Sequence, residues 1–220
     1  MTDSRDADAT RLATDSLAQG DPTGWFERLY VAAADGAAVV PWDAAEPNEL
    51  LVDWLERHER TGGMRAIVVG CGLGRDTEHL AELGFETTGF DIAETAISTA
   101  RERFPASSVN YVVADLLDPP AEWVGAFDLV VESITVQSLP VSLRAVATAN
   151  VARMVAPGGD LLVIAGIREE GEEVDGPPWP LTRTEIDAFA VEDLRSTRVE
   201  QVSPAGRPGF TRWRAVFKRG

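Results

Sequence analysis

The chain has 220 residues, enough for one domain of ordinary size that buries about 70% of the surface its unfolded form exposes. A make-up of 45% hydrophobic and 25% charged residues is that of a soluble protein, and no apolar run approaches the roughly 20 residues that cross a bilayer. Asp and Glu outnumber Lys and Arg by 36 to 20, and the formal charge of −16 repels phosphates and anionic lipid, which excludes nucleic acid and membrane surfaces as expected partners.

The opening MTDSRDADATRLATD has neither the basic nor the apolar region of a secretory signal, and the single Cys71 cannot form an internal disulfide, so a cytoplasmic location is expected. Residues 1–19 are acidic, small and polar, and read as a mobile tail outside the fold. From there to residue 220 one domain is expected. Asp21 and Pro22 suggest a helix start, with Trp25, Leu29 and Ala32 or Ala33 at helical spacing. A loop with Val39-Val40-Pro41-Trp42-Asp43 follows, then a helix over Pro47 to His58 that places Leu50, Leu51, Trp54 and Leu55 on one face and stops at Gly62-Gly63.

Next, apolar runs alternate with helical patterns. Met64 to Val69 reads as a buried strand, Asp76 to Leu83 as a helix, Phe85 to Phe90 as a strand, and Ala93 to Phe104 as a helix stopped before Pro105. Val109 to Ala114, Phe127 to Val131 and Asp160 to Ala165 supply three more strands, with a helix over Val141 to Val155 and the turn Pro157-Gly158-Gly159 before the last. This rhythm implies an α/β fold, a Rossmann-like, mostly parallel sheet with helices on both faces. Val191 to Val202 and Phe210 to Lys218, joined by Ser-Pro-Ala-Gly-Arg-Pro-Gly, predict an antiparallel hairpin at its edge. Arg168 to Pro180 suits a surface loop or lid.

The stretch Ala66 to Asp76 is a strand running into a Gly-rich turn that opens a helix, which predicts a ligand at the strand's carboxyl end. Gly70, Gly72 and Gly74 let main chain approach a ligand without Cβ interference, and the helix N-terminus offers unpaired N–H groups. Asp91 closes the second strand, 21 residues after Gly70, where a carboxylate can accept both hydroxyl protons of a ribose. A nucleoside-containing cofactor is implied. The dinucleotide pattern G-x-G-x-x-G needs a small residue where this chain has Arg75.

The observed G-x-G-x-G, with Val113-Ala114-Asp115-Leu116-Leu117 and Pro157-Gly158-Gly159, resembles the class I S-adenosylmethionine-dependent methyltransferases over residues 60 to 218. Val68, where most of that class is acidic, together with Pro41-Trp42-Asp43, Gly70 to Asp76, Gly89 to Ile97 and Gly176 to Glu185, is similar to the thiopurine, halide and thiol methyltransferase branch. The resemblance implies a seven-stranded sheet in residues 20–220, capped over the cofactor by residues 20–60. It also implies that Gly70, Gly72 and Gly74, with Cys71 between them, cradle the methionine part, Asp91 holds the ribose and Ile92 packs on adenine. Asp115 reaches the adenine amino group and Leu116 donates from its backbone. Glu132 and Ser133 lie beside the methyl group, and Trp25 and Trp42 close the cap.

The activity so implied is transfer of the S-adenosylmethionine methyl to a small-molecule acceptor, a thiol or other soft nucleophile first. A small-metabolite O- or N-methyltransferase and a non-catalytic S-adenosylmethionine-binding module are the alternatives. Glu132 and Gln137 are the candidate catalytic groups, and Arg144 suits an anionic substrate. The Cys71 thiol reads as packing, and His58 and His79 lack metal-ligand spacing, so no metal is expected. Acceptor and oligomeric state stay open at this point.

Overall fold

The computed structural model describes residues 6–58, 63–174, 176–204 and 209–220. Outside them lie the first five residues of the expected tail, Gly62 of the expected helix stop, Asp175 of the loop and residues 205–208 of the expected hairpin turn.

Seven strands form one sheet: β1 (Arg65–Val69), β2 (Glu86–Asp91), β3 (Asn110–Val113), β4 (Phe127–Ser133), β5 (Val155–Gly166), β6 (Leu194–Val202) and β7 (Arg212–Arg219). Their order is β3-β2-β1-β4-β5-β7-β6. The first five run parallel, and β7 pairs antiparallel with both β5 and β6. This is the α/β sheet with an antiparallel edge expected from the sequence.

Side chains leave a strand on alternate faces, so a strand covered on both sides must be apolar nearly throughout. Ile67, Val69, Val130, Leu161 and Val163 join one core, with Ala147 and Val151 of α6 (Val141–Arg153). Ala66, Val68, Leu129, Val131, Leu162 and Ile164 join the other, with residues of α3 (Glu49–Glu56), α4 (Arg75–Glu82) and α5 (Glu94–Arg103). Strand order reverses between β1 and β4, so the loops leaving their carboxyl ends diverge and open a crevice, the usual ligand position in such sheets.

A third cluster lies over that end, where Trp25, Leu29 and Tyr30 of α2 (Gly24–Ala34) pack with Leu73, Ala93 and Ala96. The mobile-tail reading is corrected here. Ala7–Ala18 forms α1, which packs on α2 through Ala9, Ala13 and Ser16. Its buried side chains are small, and its two large apolar residues, Leu12 and Leu17, are only half-buried, so the apolar stripe that marks a helix in sequence is thin. Two further details differ. Asp21 accepts the Gly24 N–H at 2.8 Å while Thr23 occupies the N-cap position of α2. A short helix α7 (Arg183–Asp187), unread in the sequence, starts with a reciprocal box between Thr182 and Glu185.

Candidate active site

β1 delivers the chain into Gly70-Cys71-Gly72-Leu73-Gly74, whose three glycines all have left-handed backbones, with φ of 58°, 52° and 91°. At Gly70 both conformation and space forbid a side chain, because a Cβ would lie 2.5 Å from Thr135 Oγ1, which donates to the Val69 carbonyl at 2.8 Å. At Gly72 a Cβ would point at the Tyr30 hydroxyl, 3.0 Å away. Cys71 is buried, and burial together with the nearby Asp91 charge holds its thiol well above the usual range, so it stays a packing group.

Asp91 ends β2 with both oxygens on main chain: Oδ2 accepts Gly72 N–H at 3.0 Å and Oδ1 accepts Ala93 N–H at 2.9 Å. The carboxylate thus ties the glycine loop to the start of α5, while each oxygen keeps acceptor capacity. Burial pushes its pKa up to about 6, against the pull of the Ala93, Gly72 and Ile92 N–H groups. Ile92 is half-buried beside it. Past β3, Asp115 is half-buried and accepts the Leu117 N–H at 2.8 Å, and Leu116 is buried in the core.

The tip of β4 brings Glu132 and Ser133 opposite this loop. Glu132 is completely buried; Oε1 accepts the Val136 N–H at 2.9 Å, and Oε2 has no partner among the described residues. Burial raises its pKa to about 7. Ser133 Oγ accepts from Asn48 Nδ2 at 3.1 Å, and the Asn48 N–H donates to Asp76 of α4 at 2.7 Å. Ile134 then takes φ of 68°, a left-handed backbone for a β-branched residue that costs about 1–3 kcal/mol.

Two sequence-predicted side chains have other work. Gln137 is 4% exposed; its side-chain oxygen accepts from Gly166 N–H and its carbonyl from Trp179 N–H at 2.8 Å, so it braces the end of β5 against the late loop. Arg144 is buried and donates to the Leu139 and Trp179 carbonyls at 3.1 and 2.7 Å and to Glu185, which Arg168 also meets at 2.9 Å. It clasps that loop, so the guanidinium that the sequence offers to an anionic substrate is already engaged by protein groups.

The cap supplies the aromatic roof. Trp42 Nε1 donates to Tyr30 Oη at 2.7 Å, and the Trp42 ring meets Trp25, Phe26 and Tyr30 edge-on at 6.1, 6.5 and 6.1 Å. Trp25 is 1% exposed and stacked on Phe26, so it supports Trp42 from within the cap. Glu27 fixes α2 to α5 by accepting the Thr95 N–H at 3.1 Å and hydroxyl at 2.5 Å. Sequence reasoning missed Tyr30, Glu27, Asn48, Ile134 and Thr135. Only Asn48 carried a signal, as an N-cap residue before a helical run. A groove of about 450 Å³ between α3 and α4, with Glu49, Asp53, Glu56 and Glu82 on its walls, involves none of the strand-tip residues.

A sheet in this order with a left-handed glycine loop at the switch point and an acidic residue ending β2 is that of the class I S-adenosylmethionine-dependent methyltransferases. The fold superposes on a structure solved for the conversion of a disulfide bond into a thioacetal group during echinomycin biosynthesis, with TM-score 0.70 and 23% identity over 88% of this chain and 93% of that one. It also superposes on the N-methyltransferase NodS of Bradyrhizobium japonicum in complex with S-adenosyl-L-homocysteine, with TM-score 0.66 and 21% identity over 88% and 98%.

The thiopurine S-methyltransferase family model matches residues 35–216, and the chain belongs to that family. A 2-heptyl-1-hydroxyquinolin-4(1H)-one methyltransferase of Mycobacteroides abscessus is 27% identical over 82% of this chain and 79% of its own length. A probable thiol methyltransferase 2 of Arabidopsis thaliana is 25% identical over 80% and 75%. A ubiquinone biosynthesis O-methyltransferase of Aromatoleum aromaticum is 33% identical over 118 residues, and this chain spans 50% of its length.

Proposed function

We propose that this protein moves the methyl group of S-adenosylmethionine to a small thiol or comparable soft nucleophile. The observation that carries the reading is the bond from Gly72 N–H to Asp91, which sets a bare stretch of main chain and a buried carboxylate side by side at the switch point. Gly70, Gly72 and Gly74 would hold the methionine part, Asp91 the ribose, Ile92 and Leu116 the adenine with Asp115 at its amino group. Glu132 and Ser133 would border the methyl, and Trp42, backed by Trp25, would cover it. Bound there, the donor supplies a methyl already activated on a sulfonium.

The chain's own task is then alignment and exclusion of water, which can supply roughly 7–11 kcal/mol. The Trp42 face would add about 0.5–2 kcal/mol toward a cation. Arg144 and Arg168 are both engaged by Glu185 and carbonyls, so neither offers a free guanidinium to a substrate carboxylate or phosphate, and a thiol of low pKa needs no protein base.

A second reading, an O- or N-methyltransferase with Glu132 as base, is favoured by the unpartnered Oε2 and a pKa of about 7. Its support also includes relatives named for quinolone and ubiquinone chemistry. A panel of thiols, halides, phenols and amines, scored by S-adenosylhomocysteine release, separates the two. Turnover confined to phenols or amines removes the thiol reading, and donor binding without turnover on any acceptor leaves a binding module. For the donor site, Asp91→Ala is expected to weaken S-adenosylhomocysteine binding by about 1.5–3 kcal/mol in calorimetry, and unchanged affinity overturns the assignment.

A further inference from the structure

Between Glu132 and Val136 the chain turns sharply over the glycine loop. Two left-handed residues follow the paired strand ends there, Gly70 at φ 58° after β1 and Ile134 at φ 68° after β4, with Thr135 against Gly70. One is bare, as that backbone demands, whereas the other is β-branched, the side-chain type least compatible with it. Such a conformation persists only where its surroundings over-determine it.

They do so here. The Ile134 N–H donates to the Ile164 carbonyl at 2.9 Å, and the Ile134 carbonyl accepts from Ser138 Oγ at 2.9 Å. On one side Ser133 is held by Asn48. On the other, Thr135 Oγ1 bonds Val69 O, and Val136 N–H bonds Glu132. Contacts from β5 and the following turn therefore hold Ile134 itself, while β1 and the cap hold its two neighbours, Thr135 and Ser133. Its side chain stands half-exposed at the carboxyl end of β4, next to the completely buried Glu132 and two residues before buried Val136.

A turn made only for chain reversal would be met by Gly or Asn at this position without strain. We propose that Ile134 is a specificity-determining residue whose constrained backbone presents a rigid apolar wall to the methyl acceptor and selects acceptors with an apolar body beside the attacking atom. This rests on the methyltransferase reading above and adds the acceptor class to it. The donor-side residues Gly72, Asp91 and Asp115 lie on other loops, so the two sides can be tested apart.

The test compares Ile134→Gly and Ile134→Val by thermal melting, calorimetry with S-adenosylhomocysteine, and kcat/KM for an alkyl or aryl thiol against a small hydrophilic thiol. Ile134→Gly is expected to melt no lower than wild type, because strain is released, and to bind the donor product unchanged. It should lose selectivity for the apolar thiol by about tenfold or more, the scale of a removed hydrophobic contact. Ile134→Val keeps the branch and should restore most of that selectivity. Selectivity unchanged in Ile134→Gly, loss of product binding in step with activity, or a lower melting temperature each overturns the proposal. If wild type binds no S-adenosylhomocysteine at all, it is the methyltransferase reading that fails.

Discussion

The two halves of the crevice are built by different means. The proposed donor half, from Gly70 to Asp91, belongs to a single βαβ unit, and its parts meet through the bonds from Gly72 N–H to Asp91 and from Cys71 N–H to the Phe90 carbonyl. The half beside β4 and β5 is drawn from four separated segments: Glu132 to Leu139, Arg144 on α6, Gly166 to Arg168, and Trp179 to Glu185. In the first, backbone conformation does the positioning, and glycine is indispensable. In the second, side chains satisfy the carbonyls and N–H groups of loops that have no ladder partners, so a buried Arg and Gln become structural. A backbone-built site accepts few substitutions, whereas a side-chain-built one can be retuned residue by residue.

The sharpest way to break this contrast is at Gly70. Gly70→Val puts a branched side chain on a left-handed backbone and into Thr135, which cannot retreat without losing its bond to Val69. The conformational and overpacking penalties together amount to about 3–5 kcal/mol. A melting temperature lower by roughly 10 °C and loss of S-adenosylhomocysteine binding are expected. A variant that melts and binds like wild type shows that the loop is not conformationally fixed.

Arg144 tests the other half. Arg144→Met keeps volume but releases Leu139 O, Trp179 O and half of the Glu185 pairing, while Arg168 still neutralises Glu185. Breaking a buried ion pair is severe, but the surviving partner moderates it, and a loss of about 2–3 kcal/mol in urea unfolding is expected. The contrast predicts that donor-product affinity survives while kcat/KM for the acceptor drops by about tenfold as the late loop loosens. Equal loss of both would mean that the halves are one cooperative unit.

The same contrast explains what was legible in the sequence. Gly70, Gly72, Gly74 and Asp91 announce themselves because a local backbone requirement leaves a local residue pattern, and the parallel strands do so because burial on both faces makes them apolar throughout. The partners of Arg144 and Gln137 were not legible because a polar side chain carries no mark of the carbonyl or N–H it satisfies tens of residues away. Tyr30 and Glu27 were hidden for the same reason: their partners, Trp42 and Thr95, are set by how α2 lies across the sheet. Ala7–Ala18 was misread because small residues that let helices approach closely have the same composition as a tail.

Glu132 sits on the seam between the halves, opposite Val69 across β1 and β4, and gives the smallest effect with the clearest sign. Its carboxyl is pushed from an ordinary 4.5 to about 7 by burial, so in that interval the folded chain holds a proton that the unfolded chain has released. Where the folded state binds more protons, stability falls as pH rises, here by at most about 1.4 kcal/mol per pH unit between the two values and level above them. Asp91, raised from 3.8 to about 6, contributes with the same sign at the lower end, so wild type should lose stability throughout that range. Glu132→Gln removes the upper part and leaves the Asp91 part. Urea midpoints at about pH 5 and about pH 7 should therefore differ less in the variant than in wild type. Parallel behaviour would mean that Glu132 ionises in the folded state as an ordinary carboxylate, and with it would go the strengthened base on which an O- or N-acceptor reading depends.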